Sequence, residues 1–156
     1  CIRASYATTR RRRAAACSAA PTAAISLAVR RVPARLIVIS GGGDRLDHTL
    51  AVIGALLDED VTSIPDVSLQ WGDNVATILH GPGRATLTPP LNSTLSVMAL
   101  SAPCNGITMT GTKWSLDDES LTLLSGRGVS NIVEGDVAIG VREGVLAIFH
   151  QLPNKG

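Results

Sequence analysis

Apolar residues recur with one period in the first part of this chain and with another after about residue 65. Ile25, Ala28, Val29 and Val32 fall on one side of a 3.6-residue period. They predict a helix over 23–32 that Pro33 ends. Leu36 to Ile39 is an unbroken apolar run rich in β-branched residues, which predicts a buried strand. Leu46, Leu50, Ile53 and Leu57 return to helical spacing and predict the apolar face of a second helix, fading in Asp58-Glu59-Asp60. Asp44 is placed to cap it, with Asp47 three residues on. A lone strand needs partners, so this helix–strand–helix run reads as a piece of an α/β unit.

Beyond Pro65 the apolar runs become short: 67–71, 75–80, 85–88, 95–100, 107–110, 121–124, 136–141 and 145–150. Turn signals separate them, among them Gly72-Asp73-Asn74, Gly81-Pro82-Gly83, Pro89-Pro90, Asp117-Asp118 and Glu143-Gly144. Regular short strands with such punctuation predict an antiparallel sandwich or barrel. The expected fold class is α/β plus all-β: the C-terminal part of an α/β domain over 23–62, then an antiparallel β-sandwich over 63–156. Residues 1–22 stand apart as an atypical basic segment.

Composition sharpens this division. Of the 156 residues, 45% are hydrophobic, enough to bury a core, and 3% are aromatic, so Trp71 and Trp114 draw attention. Residues 1–43 carry eight arginines and no acid, whereas residues 44–156 carry all thirteen acids against six Lys and Arg. The acidic body excludes a broad nucleic-acid footprint. Cys1, Cys17 and Cys104 show no CxxC spacing, which fits a reducing compartment such as the cytoplasm better than a disulfide framework or zinc site. No apolar stretch approaches the ~20 residues of a spanning helix, so no membrane partner is expected. The run Arg10–Arg13 is open to reading as part of a transit peptide, as a nuclear or nucleic-acid patch, or as a disordered or wrongly started terminus. The last is preferred.

Three segments carry chemistry. Gly41-Gly42-Gly43-Asp44-Arg45-Leu46-Asp47-His48 joins the predicted strand to the second helix. Its glycines let backbone approach a ligand, and a helix N-terminus favours an anion, phosphate above all. Aspartates there suit a metal that bridges phosphates. A tight, capped turn would account for Asp44 and one glycine, but not for Arg45, Asp47 and His48 together. The segment is neither a P-loop nor a dinucleotide fingerprint. Thr110-Gly111-Thr112-Lys113-Trp114 places an indole after a glycine, either to stack on a flat or cationic ring or to bridge two sheets as core. Gly128-Val129-Ser130-Asn131 offers directional donors and acceptors, or is an ordinary turn.

In this order and spacing the three segments resemble the thiamine pyrophosphokinase (thiamine diphosphokinase) family over about residues 23–150. The family's Gly-Gly-Arg-x-Asp-His element looks like Gly42 to His48, with Asp44 inserted. Its Thr-Gly-x-Lys-Trp-x-Leu element is similar to Thr110 through Leu116, and its Gly-Val-Ser-Asn element matches Gly128 to Asn131. The resemblance implies a two-domain enzyme, an α/β domain for ATP and a β-sandwich for thiamine, acting as a homodimer with each active site between subunits. It implies transfer of a pyrophosphoryl group from ATP to the thiamine hydroxyl, with release of AMP. Trp114 would stack on the thiamine pyrimidine, with Ser130 and Asn131 lining the pocket. Arg45 and Asp47 would be catalytic, facing the phosphates and Mg²⁺, with Asp47 the metal ligand. Gly41, Gly42, Gly43, Asp44 and His48 would bind ATP phosphates.

The chain departs from the family upstream. The family's Asp-x-Asp-Ser and Lys-Asp-x-Thr-Asp elements are replaced by sequence with no acid before Asp44, and similarity breaks off near residue 22. The expectation is little or no kinase activity from these 156 residues. Two other readings follow: a non-catalytic thiamine-binding or regulatory module, and an interaction domain whose basic arm meets an acidic partner.

Overall fold

The computed structural model describes residues 2–7, 11–16, 21–40 and 46–151. The chain divides into two compact units, residues 1–72 and 73–156. The sequence pattern drew the boundary ten residues earlier, after residue 62.

In the first unit the described elements are β1 (Ile2–Ala7), β2 (Arg11–Ala16), α1 (Pro21–Val29), β3 (Arg35–Ser40), α2 (Leu46–Ala55), a 3₁₀ turn (Glu59–Ser63) and β4 (Asp66–Trp71). Strands run in the order β2-β1-β3-β4. β1 is antiparallel to both β2 and β3, while β3 and β4 are parallel, from Arg35 opposite Asp66 to Ser40 opposite Trp71. Parallel neighbours need a crossover, which α2 and the 3₁₀ turn provide. β4 therefore belongs to this unit, although its composition resembles that of the strands after it. The basic segment, which carried no strand in the sequence pattern, supplies β1 and β2.

Side chains explain why these elements meet. Leu36 and Val38 of β3 are fully buried while Ile39 faces outward, the alternation of a one-face sheet. They share the core with Ile25, Ala28 and Val29 of α1, as the helical spacing anticipated. Val32 departs from expectation: it lies beyond the end of α1 in a left-handed conformation (φ 44°) and is exposed. The larger correction concerns α2. The expected face was Leu46, Leu50, Ile53 and Leu57, yet Leu46 and Leu50 are 69% and 58% exposed. The buried stripe is Val52, Ala55 and Leu56. Both sets satisfy helical spacing, and burial against the rest of the unit, with α1 the neighbour of α2, selects the second.

In the second unit come β5 (Asn74–His80), β6 (Gly83–Leu87), β7 (Thr94–Ala99), β8 (Ile107–Thr112), β9 (Leu116–Glu119), a 3₁₀ turn (Gly126–Gly128), β10 (Asn131–Val141) and β11 (Val145–Gln151). All described pairings within it are antiparallel. One sheet is built on β5-β11-β7 and the other on β6, β10, β8 and β9. β10 joins them: Asn131 and Ile132 pair with β7, Val133 already pairs with Thr112 of β8, and past a register shift between Val133 and Ala138 the strand continues along β8 and also pairs with β6. Between the sheets lies a core that includes Leu95, Val97, Ile107, Met109, Val133, Ile139, Leu146 and Ile148. This is the expected antiparallel sandwich. Leu121–Leu124 is a turn rather than a strand, with Leu121 buried and Leu123 and Leu124 exposed. The Asp117-Asp118 turn signal lies inside β9, where Asp118 adopts φ 51° and accepts a 2.7 Å hydrogen bond from Arg142. Among the described residues no helix is long and apolar enough to cross a membrane.

Candidate functional site

The site begins where β8 ends. Gly111 has φ 81°, and a Cβ built on it would stand 2.0 Å from the Asp136 carbonyl oxygen of β10. Only glycine permits that approach. Thr112 follows, 7% exposed, and then the chain turns outward through Lys113 and Trp114. The Lys113 N–H donates to the Ile132 carbonyl at 2.9 Å, fastening the turn to β10. Trp114 is 55% exposed, which removes the core-bridging reading of this residue. The Lys113 ammonium stands 5.0 Å from its ring centroid, at cation–π distance. The indole is thus presented to solvent on a fixed turn.

The second motif meets the first from the opposite direction. The 3₁₀ turn Gly126–Gly128 is capped by Ser125, whose hydroxyl accepts from the Arg127 N–H at 3.2 Å. A Cβ on Gly128 would lie 2.5 Å from the Val97 carbonyl oxygen, so the backbone can press onto β7 only without a side chain. Ser130 takes a left-handed conformation (φ 65°), held by its N–H donating to Ser96 Oγ at 3.0 Å. Its own side chain is exposed. Asn131 then turns inward and is 5% exposed.

The Asn131 amide ties the two motifs. Its Oδ1 accepts from the Trp114 N–H at 3.1 Å and the Ile132 N–H at 2.9 Å. Its Nδ2 donates to the Trp114 carbonyl at 2.6 Å and to Thr112 Oγ1 at 3.2 Å. The Thr112 hydroxyl in turn donates to the Trp114 carbonyl at 3.2 Å. A primary amide offers two hydrogens and two lone pairs, and all four are used here. A flipped amide would set donor against donor, so the surroundings fix its orientation.

Of the predicted site residues, the structure brings together Trp114, Ser130 and Asn131. Gly41, Gly42, Gly43, Asp44 and Arg45 lie outside the described residues. Asp47 and His48 occupy the first turn of α2, the former exposed and the latter half-buried. Among the described residues, no three His, Cys, Asp or Glu side chains come together as a group that could hold a metal ion. Sequence reasoning passed over Thr112 and Ser96. Thr112 sat inside a motif already marked, whereas nothing local distinguishes Ser96. A separate open groove of about 490 Å³ lies elsewhere in the second unit, lined in part by Arg84, Thr108, Asp118, Gly140 and Arg142. Neither Trp114 nor Ser130 lines it.

Residues 84–146 match the family model of the thiamin pyrophosphokinase vitamin B1 binding domain, a stretch that includes Trp114, Ser130 and Asn131. No curated protein matches the sequence. Among solved structures, a thiamine pyrophosphokinase from Bacillus subtilis is 22% identical, with 85% of this chain and 62% of that one covered and a TM-score of 0.72. One from Geobacillus thermodenitrificans is 23% identical, with 85% and 61% covered and a TM-score of 0.68. One from Candida albicans is 16% identical, with 76% and 44% covered and a TM-score of 0.62. The chain thus spans about six-tenths of the length of the two bacterial proteins, and at these identities the likeness is one of fold. Through residues 84–146 the chain is thus similar to the vitamin B1 binding domain of thiamin pyrophosphokinase, and its fold is like that of solved thiamine pyrophosphokinases.

Proposed function

We propose that the chain serves the transfer of a pyrophosphoryl group from ATP to thiamine, with the second unit as its thiamine-binding part. The observation that carries this reading is the exposed Trp114, fixed by a saturated amide inside the stretch that matches a vitamin B1 binding domain. An exposed indole on a rigid turn is suited to a flat heteroaromatic ring. Thiamine offers a neutral aminopyrimidine and a cationic thiazolium. With the Lys113 ammonium over the indole, like-charge repulsion favours stacking of the neutral ring. Ser130, exposed beside Asn131, is the hydroxyl available to that ring.

In the proposed reaction the thiamine hydroxyl oxygen attacks the β-phosphorus of ATP. A new O–P bond forms, the bond to the α-phosphate bridging oxygen breaks, the hydroxyl proton departs and AMP leaves. Such transfers depend chiefly on positioning and on stabilising charge at the phosphoryl oxygens. In this reading Arg45 supplies that charge and Asp47 acts beside it, with Gly41–Asp44 and His48 at the phosphates. Magnesium enters with the nucleotide. The reading also takes the protein to be a cytoplasmic homodimer with its site shared between subunits.

The test is twofold: titration of thiamine followed by Trp fluorescence, and AMP release from ATP with and without thiamine. Saturable quenching that disappears in Trp114→Ala, together with thiamine-dependent AMP, is the expected result. Quenching without AMP would assign the chain to the thiamine-binding module instead. No saturable quenching would reject both readings.

A further inference from the structure

We infer that Asn131 is a positioning residue, acting on thiamine through Trp114 rather than by touching it. The inference rests on the thiamine-binding reading of this site, but its physical basis does not. Asn131 is 5% exposed, and its amide has no hydrogen or lone pair left for a ligand. Three of its four bonds end on the main chain, and two of those end on Trp114 itself, one on the N–H and one on the carbonyl. An amide that grips both ends of one residue fixes its φ and ψ, and with them the direction of the Cα–Cβ bond that carries the indole. The fourth bond goes to Thr112 Oγ1, which donates in turn to the same Trp114 carbonyl. Thr112, Trp114 and Asn131 therefore form one closed circuit.

The neighbouring strain serves the same circuit. Ser130 at φ 65° reverses the chain so that Asn131 can point inward while Ser130 points out. Its N–H is anchored to Ser96 Oγ on β7, and Gly128 lies against Val97 one residue further along that strand. The two sequence motifs are thus one device. One carries the aromatic platform, and the other holds it at a set angle.

A double-mutant cycle tests this on the full chain, with thiamine as ligand. A residue that acts through Trp114 loses its effect once the indole is gone, whereas a direct contact adds its own loss. Asn131→Ala is expected to weaken thiamine binding about tenfold or more, and Trp114→Ala/Asn131→Ala to bind no more weakly than Trp114→Ala alone. Additive losses would overturn the inference. A ligand-free readout runs in parallel. The chain has two tryptophans, so its ¹⁵N–¹H indole region holds two signals, and Trp114→Ala identifies one of them. That signal should shift or broaden in Asn131→Ala. It should stay in place in Ile148→Ala, a core truncation that lowers stability without touching the turn. An unmoved signal in Asn131→Ala would overturn the inference whether or not wild-type protein binds thiamine, whereas a moved signal with no thiamine binding by wild type would mean that the functional reading alone had failed. Should Asn131→Ala not fold, Asn131→Asp, which keeps both acceptors and loses both donors, and Thr112→Val carry the same two measurements.

Discussion

Several motif residues are required by packing before any ligand is considered. Gly111 combines a positive φ with a carbonyl 2.0 Å from where its Cβ would be. Gly111→Ala should therefore destabilise the protein by about 2–4 kcal/mol, read as a lowered urea midpoint at unchanged slope. Gly126→Ala, with nothing within 4 Å of its Cβ, should stay within about 0.5 kcal/mol. Equal effects at the two positions would contradict the close approach to β10. Cys104 gives a second prediction at this scale. It is 1% exposed, and burial pushes its thiol pKa up. A raised pKa in the folded state means that stability is complete below the unfolded thiol's value, about 8.5, and is lost as pH rises through the folded one. Denaturation midpoints should therefore fall faster above that pH in the wild type than in Cys104→Ala. Parallel profiles would remove Cys104 from the explanation. Trp114 and Ser130 were legible as candidates because aromatic side chains are scarce in this chain and a hydroxyl in a polar turn supplies a directional donor and acceptor. The role of Asn131 was not, because a buried amide and a ligand-facing amide look identical in one dimension.

Elements were easier to find than to orient. The strand runs were visible because β-branched residues alternate between Gly, Pro and Asp turns. The passage of β10 from one sheet to the other, and the register shift within its pairing to β8, were hidden, since both depend on the partner strands rather than on the strand's own pattern. For α2 the spacing supported two apolar stripes, and the longer side chains in the exposed one made it the more attractive. Leu56→Ala at the end of that helix should cost about 2–5 kcal/mol, because the side chain is fully buried. Leu50→Ala, on the exposed stripe, should change stability by no more than about 0.5 kcal/mol. Thermal or urea unfolding of the two variants decides between the stripes, and the reverse order of effects would restore the sequence-based face. On β3 and β4, Arg35 and Asp66 are paired by position and joined by an ion pair, but both are well exposed, so the pair adds little.

For the molecule as a whole, the proposed ligand should act as a stabiliser. Thiamine at about a hundred times its wild-type Kd should add about 2.7 kcal/mol to the folded state and raise Tm in wild type, with a smaller rise in Trp114→Ala. A Tm indifferent to thiamine in wild type would argue against binding at any useful affinity. The division at Gly72 was partly legible, since the change of period near residue 65 marks where helices cease. It was displaced because β4 has the texture of one unit and the hydrogen-bond partner of the other. The tight contact between Gly111 and β10 has a bearing on descent. A position that any side chain would disrupt is kept by folding itself, whether or not the proposed function is served. Selection for a stable sandwich would preserve Gly111 and Gly128 even where the proposed function had been lost. The residues whose drift would record such a loss are those the fold does not need, Trp114 and Ser130, both of which face solvent.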